Sequence, residues 1–348
     1  MKNFSEIRVF LFIIYLAPLR MEIHHDIQHL PKFKNAAITV GAFDGVHTGH
    51  LQIINQLKKE AERNGGESII ITFHPHPRMV IHAKIPGPKN PTPLQLINTL
   101  EEKIELLKKQ KVDHLVIVPF TEKFSNLSAE EYLSEFLIKN FQPKTIITGY
   151  DHHFGKDRKG DYKLLESFQE TFHYTVAEIP AEVLDNITIS STKIRHAIMA
   201  GDMATANEYL GYDYFFTGKI IDGNKLGRTL GYPTANIHVD DLHKLIPAYG
   251  IYAVEVDLGR LTDNEQEPFV IESSHQGMMS IGIRPTIGDN KVMTEVNIFD
   301  FDQEIYGRNM RVHVKEFLRE EIKFDNLEEL KSQINKDEIA IRRILKIS

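Results

Sequence analysis

The sequence predicts two domains of different class: an α/β domain on a doubly wound parallel sheet, then a small antiparallel β-barrel with a closing helix. Three observations carry this expectation. Up to about Leu210, short apolar runs alternate with helical patterns. Beyond Leu210 the runs stay strand-like, but polar residues alternate with apolar ones and turns replace the helices. With 348 residues, the chain has room for both units.

In the first half the strand runs are AITVGAF (37–43), SIIITF (68–73), HLVIVPF (114–120), KTIITG (144–149) and YTVAEI (174–179). They are apolar throughout, as parallel strands covered on both faces are. Between the first two, Leu51, Ile54, Leu57 and Ala61 recur at helical spacing and stop at Gly65-Gly66. Leu94, Ile97, Ile104 and Leu107 predict another helix, starting at Thr92-Pro93. Ser128-x-x-Glu131 is a capping box that opens a helix over Tyr132 to Lys139.

In the second half the runs are FFTGKII, ANIHV, GIYAVEVDL, GMMSIGI, VMTEVNIF and NMRVHVKEF. Glu255, Asp257, Glu295 and Asn297 alternate with apolar neighbours, the mark of half-buried antiparallel strands. Leu261 to Gln266 reads as a hairpin loop, and Leu327, Leu330, Ile334, Ile341 and Leu345 form the stripe of a last helix. Closing into a barrel removes the edges that such strands would otherwise expose. The expected domains are 21–208 and 212–348, with no internal repeat.

An apolar fraction of 42% and a charged fraction of 26% are those of a globular protein. The net charge of −7 argues against a nucleic-acid partner, while helix N-termini still allow local anion binding. The absence of cysteine excludes disulfides, thiolate nucleophiles and Cys-ligated zinc, and fits a reducing compartment. Val9 to Leu19 is apolar but too short to span a bilayer. Residues 1–20 are expected to be an upstream extension before a working start at Met21, the alternative being a secretory segment.

The sharpest chemical signal is Gly41-Ala42-Phe43-Asp44-Gly45-Val46-His47-Thr48-Gly49-His50, where the first strand run meets the first helix. Ligands of open α/β sheets sit at such strand ends. Gly41 and Gly45 permit close backbone approach, and the helix start offers free N–H groups to a phosphate. His47 and His50 fall on one turn and can donate hydrogen bonds to a phosphoryl group, or neutralise it when protonated. His74 and His76 read either as part of a binding segment or as a metal pair without a third ligand.

His-x-Gly-His in this context resembles the nucleotidyltransferase superfamily, whose domain is Rossmann-like. Its flavin-specific branch is matched by Phe73-His74-Pro75-His76-Pro77, by Gly149 to Gly155 with Arg158 and Gly160, and by Ile189-Ser190-Ser191-Thr192-Lys193-Ile194-Arg195. The resemblance implies nucleotide contacts at Gly41, Phe43, Asp44, Gly49, Ser191, Thr192 and Arg195. It implies flavin contacts at His74, Pro75, His76, Asp151, Phe154 and Arg158. His152 stands where a Phe is common in that branch.

The second half carries Gly223-x-x-x-Gly227-Arg228-x-Leu230-Gly231-Tyr232-Pro233-Thr234-Ala235-Asn236. It is no Walker A loop, but a Gly-rich turn leading into a strand still offers backbone donors, a hydroxyl and an amide oxygen. The run resembles the Pro-Thr-Ala-Asn signature of flavokinases, and Ser280 to Gly288 and Glu295 to Phe301 continue the match in order. Together the halves are similar to the bacterial bifunctional riboflavin kinase/FMN adenylyltransferase family.

That resemblance implies nucleotide contacts at Gly223, Gly227, Arg228, Gly231 and Pro233, Mg²⁺ at Thr234 and Asn236, and a catalytic base at Glu295. The implied substrates are riboflavin, FMN and ATP, in the cytoplasm, with neither membrane nor nucleic acid as partner. The chemistry agrees with two unlike sites. FMN brings an ionised phosphate, with a second pKa of about 6, and needs no base. Riboflavin brings an alcohol that must lose a proton, for which a carboxylate is the expected helper. A flavokinase with an inactive first half, and a flavin-binding regulator without catalysis, are the competing readings.

Overall fold

The computed structural model describes residues 21–82, 94–149, 152–179, 189–223, 227, 230–265, 267–286 and 289–347. The expected extension 1–20 lies outside them. The first domain is a six-stranded sheet of β1 (Glu22–His24), β2 (Ala37–Val40), β3 (Ser68–His74), β4 (His114–Pro119), β5 (Thr145–Gly149) and β6 (Thr175–Ile179). The order is β1-β4-β3-β2-β5-β6 and every pairing is parallel. The chain runs outward from β2 to β4 and returns to the other side of β2 as β5. This reversal opens a crevice at the carboxyl end of β2. Alternate residues serve opposite faces: Ile69, Ile71 and Val116 pack in one core, Ile70, Leu115 and Ile147 in the other. β1 has no counterpart among the expected strands, because three residues with one apolar side chain carry no period.

The helix expected after Gly49 is Thr48–Arg63, which buries Ile54, Leu57 and Ala61 against the sheet. The helix expected from Thr92-Pro93 begins later, at Leu100, and ends at Lys108. Thr92 and Pro93 lie outside the described residues. The Asp44 carboxylate accepts the N–H groups of Ile97 and Asn98, so the first free turn starts at Thr99, which caps it reciprocally with Glu102. The Ser128–Glu131 capping box forms as expected, and the helix continues through π-helical turns over Tyr132–Ile138.

The second domain is a closed antiparallel barrel in the order β10-β11-β8-β7-β12-β9. Its strands are β7 (Tyr214–Ile221), β8 (Ala235–His238), β9 (Gly250–Leu261), β10 (Phe269–Thr286), β11 (Asp289–Ile298) and β12 (Asn309–Arg319). Phe216, Val254, Met279, Val296 and Val312 fill its interior. The polar stretch after Leu261 joins β9 to β10, as expected of a hairpin loop. The last helix, Leu327–Ile344, seats Ile334, Ile341 and Leu345 against Ile251 and Met278. Leu327, expected in the same stripe, is 55% exposed: it is the first helical residue after the Asn326 cap.

Between the two bodies, the helices Ser191–Met199 and Met203–Leu210 place Ile194, Ile198, Ala206 and Leu210 in the barrel's own core. Lys244, in the connection after β8, is fully buried and pairs with Glu102 at 2.6 Å. Arg311 on β12 holds Glu105 through two hydrogen bonds, at 3.0 and 2.7 Å.

Candidate active sites

The first site grows from the loop that leaves β2. A Cβ at Gly41 would lie 3.0 Å from the Phe43 ring, so any larger residue there would press on that ring. Phe43, Gly45 and Val46 all have left-handed backbones, with φ of 47°, 90° and 37°. Asp44 holds this strained turn. Besides the two backbone N–H groups, its carboxylate receives Arg195 at 2.5 Å, and its carbonyl accepts the Ser191 hydroxyl at 2.9 Å. Arg195 is tied further by donating to the Gln95 carbonyl at 2.7 Å. Asp44, Ser191 and Arg195 thus form one network that docks the Ser191–Met199 helix onto the loop.

His47 is the N-cap of the Thr48–Arg63 helix, and its Nδ1 accepts the His50 backbone N–H at 3.3 Å. With Nδ1 acting as acceptor, the neutral ring carries its proton on Nε2, free to donate. The two imidazoles stack, 3.7 Å between centroids and 17° apart in plane, and Gly49 leaves room for the His47 ring. Burial pushes the His47 pKa down to about 4, although Asp44 pulls it up. Burial, then His47 and Lys103, lower that of His50 as well. Both rings are therefore neutral near pH 7 and act as hydrogen-bond donors or acceptors rather than as cations. The His50 Nδ1 is buried without a partner among the described residues. A polar atom left so is available to a ligand.

Two further groups gather here. Lys103, buried on the Leu100–Lys108 helix, donates to the Ala42 carbonyl at 2.7 Å, and burial lowers its pKa. No sequence pattern singled it out, since a Lys among Glu residues on a helix reads as solvated; only the fold turns it inward. His76 is also buried, and its pKa falls to about 4 through burial, with Asp44, Lys103 and Arg195 among the charges it feels. The structure thus sets His76 near Asp44, Lys103 and Arg195. His74 and Pro75 are exposed at the end of β3, and Thr192 is exposed in the first turn of its helix.

Of the residues expected to contact flavin, Phe154 and Arg158 line a cavity of about 670 Å³ beside β2. Its walls are aromatic: Phe73, Phe120, Phe124 and Tyr132 face it, and His152 stacks on Phe154 with centroids 6.1 Å apart. The Phe154 ring lies against Gly160, where a Cβ would come within 2.5 Å. Asp151 lies outside the described residues. His74, Pro75 and His76 do not line this cavity.

The second site lies on the outside of the barrel, where β8 and β11 pair. Glu295 is in register with Asn236 on one side and Ser280 on the other. Thr234 lines two adjacent cavities. One, of about 250 Å³, also receives Glu295, Asn297 and the apolar side chains of Ile251, Met278 and Ile334. The other, of about 450 Å³, is lined by Pro233, Asp302 and Tyr306. Asn297 donates to the Pro233 carbonyl at 2.7 Å, and so fixes the Pro-Thr-Ala-Asn run.

Asn236 is 4% exposed, and its Oδ1 has no partner among the described residues. Gly223 is required beneath it, because a Cβ there would lie 1.9 Å from Asn236 Nδ2. Gly227 abuts the Tyr232 carbonyl in the same way, and Gly231 has φ of 87°. Arg228 lies outside the described residues. Arg319 and Asp337, joined at 2.9 and 2.5 Å, complete the wall beside the last helix. Sequence patterning did not indicate that pair, because its members lie on different elements.

Comparison with known proteins finds a different family model in each half of the chain. The FAD synthetase family model matches residues 30–193, and the riboflavin kinase family model matches residues 210–345. A bifunctional riboflavin kinase/FMN adenylyltransferase from Listeria monocytogenes is 37% identical over 306 residues, covering 87% of this chain and 90% of that protein. Its counterpart from Escherichia coli K12 is 31% identical, covering 91% and 95%. A crystal structure from Streptococcus pneumoniae, described as a macrolide-efflux protein, superimposes with a TM-score of 0.77 at 29% identity over 92% of this chain and 98% of that one. Among the described residues no helix is long and apolar enough to cross a membrane.

Proposed function

The chain belongs to the bifunctional riboflavin kinase/FMN adenylyltransferase family, and from that premise we propose how its two sites divide the chemistry. The barrel domain makes FMN from riboflavin and ATP, and the sheet domain makes FAD from FMN and ATP. The observation that carries the division is chemical. Glu295 lines the second site, whereas the Asp44 carboxylate of the first is taken up by Arg195 and two backbone N–H groups and stands among neutral imidazoles.

In the second site the 250 Å³ cavity suits the flavin, because its apolar wall can cover a flat ring system while Glu295 meets the hydroxyl chain. Glu295 takes the proton of the attacking alcohol as the oxygen closes on the γ-phosphorus. The nucleotide occupies the neighbouring cavity against Pro233, with Thr234 at the wall common to both. The unpartnered Asn236 Oδ1, two residues along the chain from Thr234, is the hard oxygen donor that Mg²⁺ prefers; when bound, the ion would offset charge on the transferred phosphoryl group.

In the first site the phosphate of FMN attacks the α-phosphorus of ATP without a base. His47 donates from Nε2 to the crowded phosphorus centre, and the orphaned His50 Nδ1 gains a partner from the ligand. Arg195 and Asp44 position the loop and the Ser191–Met199 helix around the nucleotide. The isoalloxazine lies among Phe154, Arg158 and the other aromatic walls of the 670 Å³ cavity. ATP as co-substrate at both sites, and a chain without cysteine, support the cytoplasm as the compartment.

Single substitutions separate the two halves. Glu295→Gln should lower FMN formation from riboflavin by at least about 100-fold and leave FMN-to-FAD conversion intact. His50→Ala should do the reverse, by about 100-fold or more. Product separation after incubation with riboflavin and MgATP reads both. If either change removed both activities while circular dichroism stayed native, the division between sites would be wrong.

A further inference from the structure

At the opposite, amino end of the parallel sheet, three side chains converge that neither reaction uses. Glu22 and His24 are two residues apart on β1 and so project from the same face. His114, the first residue of β4, is in register with Glu22. His24 Nε2 and His114 Nδ1 are 3.1 Å apart, and Glu22 Oε2 lies 3.7 Å from the second and 4.0 Å from the first. We propose that Glu22, His24 and His114 form a binding site for a zinc-class divalent cation.

The spacing is that of ligands around one ion. Bonds of about 2.0–2.2 Å in tetrahedral geometry put donor atoms about 3.3 Å apart. The imidazole pair is already near that separation, and the Glu22 side chain, 66% exposed, is free to close the remaining gap. The two rings are preset. Their side chains are only 16% and 10% exposed, and Phe33 packs edge-on against both, at 5.9 and 5.0 Å.

The outer shell fits as well. The other nitrogen of His114 faces Glu67 Oε2 at 3.8 Å, and that oxygen is held by the Lys34 N–H at 2.7 Å. A carboxylate behind a ligating imidazole is the usual second shell, which orients the ring and raises its basicity. Nitrogen donors select a zinc-class ion over the Mg²⁺ that travels with ATP. Without an ion, one imidazole donates to the other across the 3.1 Å contact; on binding, that N–H moves to the ring's other nitrogen, so that both lone pairs face the metal. The fourth position opens on the Glu22 side, where water completes the shell. The consequence is structural: the ion pins a three-residue edge strand to β4.

The test uses the full chain, stripped with a chelator and free of nucleotide. Calorimetric titration with Zn²⁺ should show one more high-affinity site in the wild type than in His24→Gln. Zn²⁺ should raise the Tm of the wild type but not that of the variant. Glu22→Gln, on the surface and harmless to folding, should weaken the site by about 10–100-fold. His25→Gln, next along the chain but outside the triad, should bind as the wild type does. Co²⁺ should give d–d bands of four-coordinate intensity that are absent in His24→Gln. Equal Zn²⁺ stoichiometry and affinity in the wild type, Glu22→Gln and His24→Gln would overturn the proposal, as would an equal loss in His25→Gln.

Discussion

His47 and His76 each give up their charge to burial, and this has a consequence for stability. Each folded pKa sits near 4, against about 6.5 in the unfolded chain. Between those values the unfolded chain binds protons that the native state refuses, so stability is complete above about pH 6.5 and falls as pH drops towards 4. A ring shifted that far contributes about 3 kcal/mol to the loss. The groups around His76, namely Asp44, Lys103, Arg195 and Arg78, partly oppose one another, so burial remains the leading cause. His76→Gln should therefore flatten the decline of Tm between pH 6.5 and 4.5. Parallel declines in the wild type and the variant would refute burial as the cause.

At the scale of elements, the Leu327–Ile344 helix does two jobs with one face. Ile341, fully buried, anchors it to Ile251 and Met278, while Leu330 and Ile334 wall the 250 Å³ cavity. Arg342 adds a bidentate contact to Asp300, at 3.0 and 2.9 Å, and its guanidinium lies 4.7 Å from the Phe299 ring. Ile341→Ala should cost about 2–5 kcal/mol of barrel stability, measured by urea unfolding. With riboflavin in that cavity, as proposed, KM for riboflavin should rise while FMN adenylylation stays unchanged. A rise in KM for FMN instead would show that the helix serves the other site.

Across the whole molecule, a chain of contacts leads from the barrel to the loop of the first site. The buried Lys244 ammonium donates to Glu102, to the Ile97 carbonyl and to the Phe215 carbonyl, at 2.6, 2.6 and 2.7 Å. The N–H of the same Ile97 is held by Asp44, which holds Arg195. Glu102→Gln would leave the Lys244 cation buried without its counter-charge, a loss of about 3–5 kcal/mol. Thermal unfolding should then split into two transitions, and FAD formation should fall more than FMN formation. A double-mutant cycle with Lys244→Met should return a large coupling energy. Simple additivity would mean that the domains are joined elsewhere.

The sequence by itself determined the class of both domains, the closing helix, and the two motifs at His47–His50 and Thr234–Asn236. Those signals are local: a hydrophobic period, a capping box or a glycine turn acts within a few residues. The division into two chemistries was legible through the family resemblance and is matched over both halves. Tertiary structure decided the rest. Asp44 and Arg195 are 151 residues apart, and Glu102 and Lys244 are 142 apart, so no window of sequence contains either pair. The helix expected from Thr92-Pro93 began at Leu100 because Asp44, remote in sequence, took the backbone groups that would have started it. Lys103 and His76 became buried neighbours of the loop after β2, and Glu22, His24 and His114 became one cluster, only when parallel strands and their covering helix came together. Burial and charge compensation depend on which surfaces meet, and that is settled by packing across the whole chain rather than by any segment of it.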